Sequence, residues 1–423
     1  MLNDNFRLRD QGVSNALALD GLPRHRWYFV KEGFSPKLVQ EAVATDSVQQ
    51  REVLLDPFAG GGTAPLSGAL SGLRVRAFEV NPFLRFLSAT KLRQASPVSF
   101  RTASRRLLRT LEKPVPSPLE GFSTFTEGNR LGRWLFPRPV LRSFEAGRST
   151  LADTADEHRD LLRLALLGAV MDCCNATRDG KCLRYPKDWV NNQATASQFR
   201  HRFETRSETI ATDLAAAPLN EATASVIEGD ARRLLKRNRQ KFRLCVTSPP
   251  YLNSFDYSDV YRPELFLGGF VDSNSSLMDV RLKTIRSHVQ ASWKPPKKDD
   301  FGTLYERCIA DIRECTDAHW DRRIAMMVQA YFEDMEIILS ALRERAHSNG
   351  TVWLVVSTSA YAGVEVPVDL ILAEIAQRTG WFLREVGVLR YLRSSSQHIS
   401  RLDDEANKSV PLRESVVILD ASI

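Results

Sequence analysis

Val53-Leu54-Leu55-Asp56-Pro57-Phe58-Ala59-Gly60-Gly61-Gly62-Thr63 joins a short apolar run to a glycine-rich bend. Small residues then continue over 63–72, and Arg74-Val75-Arg76-Ala77-Phe78-Glu79 reads as a second strand. Strand, glycine loop, helix and strand in that order open a doubly wound α/β sheet. Further strand signals fall at 225–229, 243–247, 351–357, 382–392 and 415–419. A helix is predicted over about 323–346, where Met327, Val328, Tyr331, Met335, Ile338, Leu339 and Leu342 recur at helical spacing. Another follows Pro367, over 367–379.

Glycines at a strand-to-helix junction let the backbone approach a ligand, and the helix N-terminus beyond presents free N–H groups. A phosphate loop would need a Lys after the glycines, and Thr63-Ala64-Pro65 supplies none. The GxGxxG dinucleotide pattern is also absent. Asp56 ahead of the bend disfavours phosphate and suits a cationic ligand, of which a sulfonium amino acid is an example. Glu79, at the end of the second strand, is placed to accept both ribose hydroxyls of an adenosine. Asp230, in Glu228-Gly229-Asp230-Ala231, ends the third strand and is a candidate acceptor for an adenine amino group.

The second motif is Thr247-Ser248-Pro249-Pro250-Tyr251, after the apolar Leu244-Cys245-Val246. Two prolines make a rigid extended turn without N–H donors, leaving carbonyls free as acceptors. Such a turn suits an amine that must donate its protons. An exocyclic amine on a nucleobase is a poor nucleophile because its lone pair is delocalised. Acceptors such as Ser248 Oγ and the Pro249 carbonyl would favour a pyramidal, nucleophilic nitrogen. Serine is too weak a base to remove the proton first, so positioning and electrostatics would carry the reaction. Tyr251 offers a stacking face, and a base reaching it must leave its duplex. Tyr257 and Tyr261 are candidates to line the same pocket; the plainer reading places them, with Phe255, in the core.

Together these motifs resemble the amino-methyltransferase family of DNA modification enzymes, which pairs an FxGxG loop with a (D/N/S)PPY loop. The likeness implies a Rossmann-like class I fold, with a mostly parallel seven-stranded sheet whose last strand is antiparallel. It implies S-adenosyl-L-methionine as cofactor, held by Phe34, Ser35, Pro36, Asp56, Pro57, Phe58, Gly60, Gly62, Thr63, Glu79, Asn81, Asp230 and Ala231. It implies catalysis by Ser248, Pro249, Pro250 and Tyr251. Ser in the first position of the second motif is typical of the cytosine-N4 branch; adenine-N6 enzymes more often carry Asp. His25-Arg26-Trp27-Tyr28 and Gly33-Phe34-Ser35-Pro36 are similar to the family's N-terminal element. Arg178-Asp179-Gly180-Lys181, Arg393-Ser394-Ser395-Ser396-Gln397 and Arg413-Glu414-Ser415 resemble segments of one of its branches. The partner implied is DNA, contacted by Tyr257, Lys181, Arg184 and Arg393, with a cognate restriction endonuclease as a further expectation. Adenine N6, an RNA base, or an inactive binding subunit are the competing readings.

The chain divides into 1–84 with the N-terminal element and first loop, 85–222 as a mainly helical insertion, and 223–423 with the second loop and a polar insertion at 271–320. Net charge is +7. Residues 85–222 hold 22 Lys and Arg against 15 Asp and Glu, so the whole excess sits there and makes this segment the candidate target-recognition region. The six cysteines form no CxxC pair, which suits neither a zinc site nor a disulfide framework. No apolar run approaches the ~20 residues of a membrane span, and the polar N-terminus lacks a secretion core; the expectation is a cytoplasmic enzyme.

Overall fold

A computed structural model describes residues 2–8, 16–179, 182–220, 223–392 and 412–422. The first half of the sheet domain runs β1 (Leu2–Asn3), α1 (Pro36–Thr45), β2 (Val53–Asp56), α2 (Thr63–Leu70), β3 (Arg74–Glu79) and α3 (Pro82–Lys91). Four long helices then interrupt the alternation: α4 (Pro97–Thr110), α5 (Arg138–Thr150), α6 (Asp156–Met171) and α7 (Ala196–Ala216), with the hairpin β4 (Thr177–Asp179) and β5 (Cys182–Arg184) between the last two. Residue 85, where sequence alone begins the insertion, lies inside α3.

The sheet resumes with β6 (Ala224–Glu228), α8 (Ala231–Arg237) and β7 (Phe242–Thr247). Short helices α9 (Tyr257–Val260), α10 (Arg262–Leu267), α11 (Asn274–Arg281) and α12 (Thr303–Glu314) lead to the long α13 (Ile324–Arg345). The chain ends in β8 (Ala346–Ser357), the hairpin β9 (Ser359–Tyr361) and β10 (Val364–Val366), α14 (Val368–Arg378), β11 (Phe382–Leu392) and β12 (Leu412–Asp420).

The main sheet has eight strands in the order β1-β11-β12-β8-β7-β2-β3-β6. Strands β6, β3, β2, β7 and β8 run parallel. β12 enters antiparallel between β8 and β11. Setting aside the two-residue edge strand β1, this is the seven-stranded class I methyltransferase order. Its central strands read as near-continuous apolar runs because helices cover both faces. On one face Leu55, Cys245, Val352 and Leu354 pack under α8, α12, α13 and α14. On the other, Leu54, Val75, Val246 and Trp353 meet Phe6 and α1. The helical insertion has its own core, in which Phe100, Phe144, Leu164 and Phe203 are buried and to which α3 contributes Phe83 and Leu87. No helix among the described residues is long and apolar enough to cross a membrane.

Candidate active site

A ligand crevice in such a sheet lies at the carboxyl ends of the strands where the order reverses. Here that point falls between β2 and β7, whose ends carry the two motifs. A cleft of about 370 Å³ opens there, lined by both Pro57–Gly61 and Ser248–Tyr251. Their strands are tied by a buried bond: Thr247 Oγ1 donates to Asp56 Oδ1 at 2.6 Å.

The glycine bend is fixed from several sides. The Phe58 N–H donates to Asp56 Oδ1 at 3.0 Å, and the Gly60 N–H donates to Glu79 Oε2 at 2.7 Å. Gly62, the N-cap of α2, has φ +86°, a conformation that a side chain would strain. A Cβ on Gly61 would come within 2.9 Å of Val30 Cβ. Beneath the bend, the fully buried Lys91 donates from Nζ to Gly61 O at 2.9 Å and to Tyr28 O at 3.3 Å. Burial pushes the Lys91 ammonium down to about 7. It pushes the Asp56 carboxyl up to about 7, the Thr247 and Phe58 bonds only partly opposing it.

Glu79 lines the cleft, and its other oxygen accepts the Asn81 N–H at 2.8 Å. Each carboxylate oxygen keeps a lone pair. Desolvation raises its pKa. The Asn81 side chain caps α3 through its oxygen, while its Nδ2 is buried with no partner among the described residues.

Ser248, Pro249, Pro250 and Tyr251 all face the cleft. The Tyr251 hydroxyl donates to Glu414 Oε1 at 2.5 Å, and Arg390 Nε donates to Glu414 Oε2 at 2.6 Å. Burial, then the Glu414 charge, holds the tyrosine well above its ordinary pKa, so it stays a neutral donor. Ser248 Oγ lies 3.5 Å from the Tyr251 hydroxyl. Phe255, Tyr257 and Tyr261 complete an aromatic wall, with the Phe255 and Tyr257 ring centroids 4.6 Å apart. The Tyr261 hydroxyl donates to Glu32 at 2.6 Å.

Of the other residues singled out from sequence, Phe34, Pro57, Phe58, Gly60, Thr63, Glu79, Asn81, Asp230, Ala231 and Tyr257 line the cleft. Four do not. Asp56 is 1% exposed and sits under the bend, because the Thr247 and Phe58 bonds turn its carboxylate inward. Ser35 caps α1 and Pro36 is its first residue. Gly62 packs on Ser88. Arg184 is exposed on the β4–β5 hairpin, away from the cleft lining. Lys181 and Arg393 fall outside the described residues. Of the N-terminal element, Arg26 and Trp27 converge on the buried Asp213 of α7, not on the cleft.

Sequence reasoning missed one whole wall. Val280 and the segment from Lys283 to His288, within the polar insertion, line the cleft through Lys283, Thr284, Ile285, Ser287 and His288. Arg232 holds this wall: its guanidinium binds Asp230 at 2.9 and 3.0 Å and Asp334 at 2.8 Å, and donates to the Lys283 and Thr284 carbonyls at 3.2 Å. Arg286 adds bonds to Asp334 and Glu333. The only signal for this in the sequence was Asp334 on the apolar face of α13, where a carboxylate needs a partner.

No family model matches the chain. Over 393 residues it is 23% identical to the type II methyltransferase M.AvaI of Nostoc sp., covering 87% of this chain and 81% of that protein. Over 449 residues it is 23% identical to the type II methyltransferase M.BsoBI of Geobacillus stearothermophilus, covering 93% and 85%. Among solved structures, the rRNA methyltransferase aviRa of Streptomyces viridochromogenes aligns at 11% identity and TM-score 0.30, over 98% of this chain and 94% of its own. TrmN of Thermus thermophilus aligns at 11% and 0.28, over 92% and 49%. Superpositions this loose carry no argument, and the fold rests on the strand order itself. Strand order gives the chain the class I methyltransferase fold, its two motifs share one cleft, and along most of its length it is similar to the type II methyltransferases.

Proposed function

We propose that the chain methylates the exocyclic N4 amino group of cytosine in DNA, acting on a base flipped out of the duplex. The observation that carries this reading is the opening of both motifs into one cleft, with their strands bonded through Thr247 and Asp56. When bound, S-adenosylmethionine supplies an electrophilic methyl group on a cationic sulfur. The residues present fit it. Glu79 keeps acceptor capacity for two hydroxyls, and the unpartnered Asn81 Nδ2 beside it is a donor awaiting an acceptor. Asp230 Oδ2 accepts from Arg232 and keeps a lone pair for an adenine amino group.

On the catalytic side, Ser248 Oγ and the Pro249 carbonyl accept hydrogen bonds from the two amine N–H groups and favour a pyramidal nitrogen with a free lone pair; once the nitrogen is methylated, its surplus proton passes to solvent. The Pro249 carbonyl makes no hydrogen bond among the described residues. Glu414, anchored by Arg390, holds Tyr251 in one orientation, so the ring gives the flipped base a fixed face. Such pre-organisation lowers the barrier without any general base. Ser248 in the first position favours cytosine N4 over adenine N6.

The test is incubation with methyl-labelled cofactor and unmethylated bacterial DNA, then mass spectrometry of the nucleosides. N4-methylcytosine is the expected product. N6-methyladenine would move the assignment to the other base, and label appearing in RNA alone would overturn DNA as substrate.

A further inference from the structure

Loops 126–134 and 184–193 of the helical insertion meet through an edge-to-face pair, Trp134 on Trp189, with centroids 4.6 Å apart. Tyr185 adds a third ring, 5.1 Å from Trp189, and the Arg133 guanidinium lies 5.8 Å over it. Both loops are internally braced. Asn129 donates to the Thr126 and Arg133 carbonyls at 3.0 and 2.7 Å, and Gln193 donates to Val190 O at 3.1 Å. Their tips are apolar and exposed: Leu131 is 73% and Val190 55% accessible. Around them Arg130, Arg133 and Lys187 are exposed and make no ion pair among the described residues. Asp188 is the opposing carboxylate on the second loop, while Glu127 on the first is paired with Arg138 at 3.3 Å.

The patch is coupled to the cleft. Arg178, in the middle of β4, pairs with the buried Glu264 and lies 4.8 Å over the ring of Tyr261, a cleft residue. Three residues earlier, Asn175 donates to the Trp134 and Leu135 carbonyls at 3.1 and 2.7 Å.

We propose that this aromatic-braced patch holds the DNA duplex flanking the target base. Arg130, Arg133 and Lys187 contact backbone phosphates, and Leu131 and Val190 enter the adjacent groove. The inference rests on the DNA reading above and adds the surface that grips the duplex. Apolar tips alone would suit a protein partner equally. The cationic ring around them, inside the only segment with a positive surplus, selects a polyanion. The aromatic brace keeps the loops rigid, so little ordering entropy opposes binding.

The experiment compares three full-length proteins on a random-sequence DNA duplex, by fluorescence anisotropy across a salt series. They are wild type, the triple variant Arg130→Gln/Arg133→Gln/Lys187→Gln, and the control Arg237→Gln/Arg239→Gln/Lys241→Gln. The control removes three exposed charges that lead into the amino-terminal end of β7, whereas the cleft lies at the carboxyl ends of the strands. Each lost phosphate contact lowers the slope of log affinity against log salt by about 0.9. The patch variant should therefore lose about 2 to 3 units of slope while the control keeps the wild-type value. Equal slopes in all three proteins would overturn the proposal. Leu131→Ser/Val190→Ser should keep the slope and bind about three- to tenfold more weakly; wild-type affinity there removes the groove contact. Cofactor titration by calorimetry should match wild type in every variant. The function itself fails separately, if wild type places no label in bacterial DNA.

Discussion

Lys91 gives the sharpest test of how the glycine bend is held. Its ammonium group is fully buried, faces the Gly61 and Tyr28 carbonyls, and has no carboxylate partner among the described residues. Desolvation brings its pKa down to about 7, against about 10.4 in an unfolded chain. Between those values the unfolded chain binds the proton and the folded chain does not, so wild-type stability rises with pH across that window. Below pH 7 the folded protein carries the buried charge, and the contribution is at its minimum. From pH 7 to pH 9 the gain is about 2 kcal/mol. Lys91→Met keeps the length and removes the titration. Urea unfolding of both proteins at pH 7, 8 and 9 should give curves that diverge by that amount, wild type gaining on the variant. The comparison must be a difference between proteins, because burial holds Cys245 and Tyr261 well above their ordinary pKa values and so adds its own pH dependence at the alkaline end in both. Asp56 has the opposite sign in the window below: burial raises it to about 7, so its contribution falls as pH rises from about 4 to 7. Parallel stability curves for wild type and Lys91→Met from pH 7 to 9 would refute the assignment of a buried, largely neutral lysine.

Ser248→Ala should cut turnover on DNA by about a hundredfold, with cofactor affinity by calorimetry unchanged; wild-type turnover would remove Ser248 from the reaction. Glu79→Ala should weaken S-adenosylmethionine binding by ten- to a hundredfold, since hydrogen bonds to a charged group contribute roughly 1.5–3 kcal/mol. Gly61→Ala places a methyl 2.9 Å from Val30 Cβ; thermal denaturation should show a loss of about 1–3 kcal/mol, and an unchanged midpoint would mean that the bend yields easily.

What was legible in the sequence was local. Val53–Asp56, the glycine bend, and Leu244–Val246 followed by two prolines each declare a strand and its ending within about ten residues. Seven such signals are enough to order the sheet once the family's topology is supplied. Tyr251 was legible as a cleft residue, but its anchor was not, because Glu414 and Arg390 lie 163 and 139 residues further on and reach it only through the β11–β12 pairing. No sharp sequence signal marks where the helical segment begins. α3 belongs to both layers, packing Phe83 and Leu87 on the helices while its N-cap Asn81 faces the cleft, and no composition change marks that shared duty.

Asp230 shows why the cleft wall was invisible. A carboxylate closing the third parallel strand invites assignment to a ligand, and Asp230 does line the cleft. Two residues later Arg232 folds back on both of its oxygens and reaches past them to Asp334 and the carbonyls of Lys283 and Thr284. One guanidinium thus joins a strand end, a long helix and an otherwise patternless polar segment. A planar fork of five donors can satisfy that many partners at once, where a lysine could not. The wall from Lys283 to His288 therefore needs no secondary structure of its own to hold its place: its backbone carbonyls are gripped from the side by an ion network that the buried Asp334 obliges the fold to build.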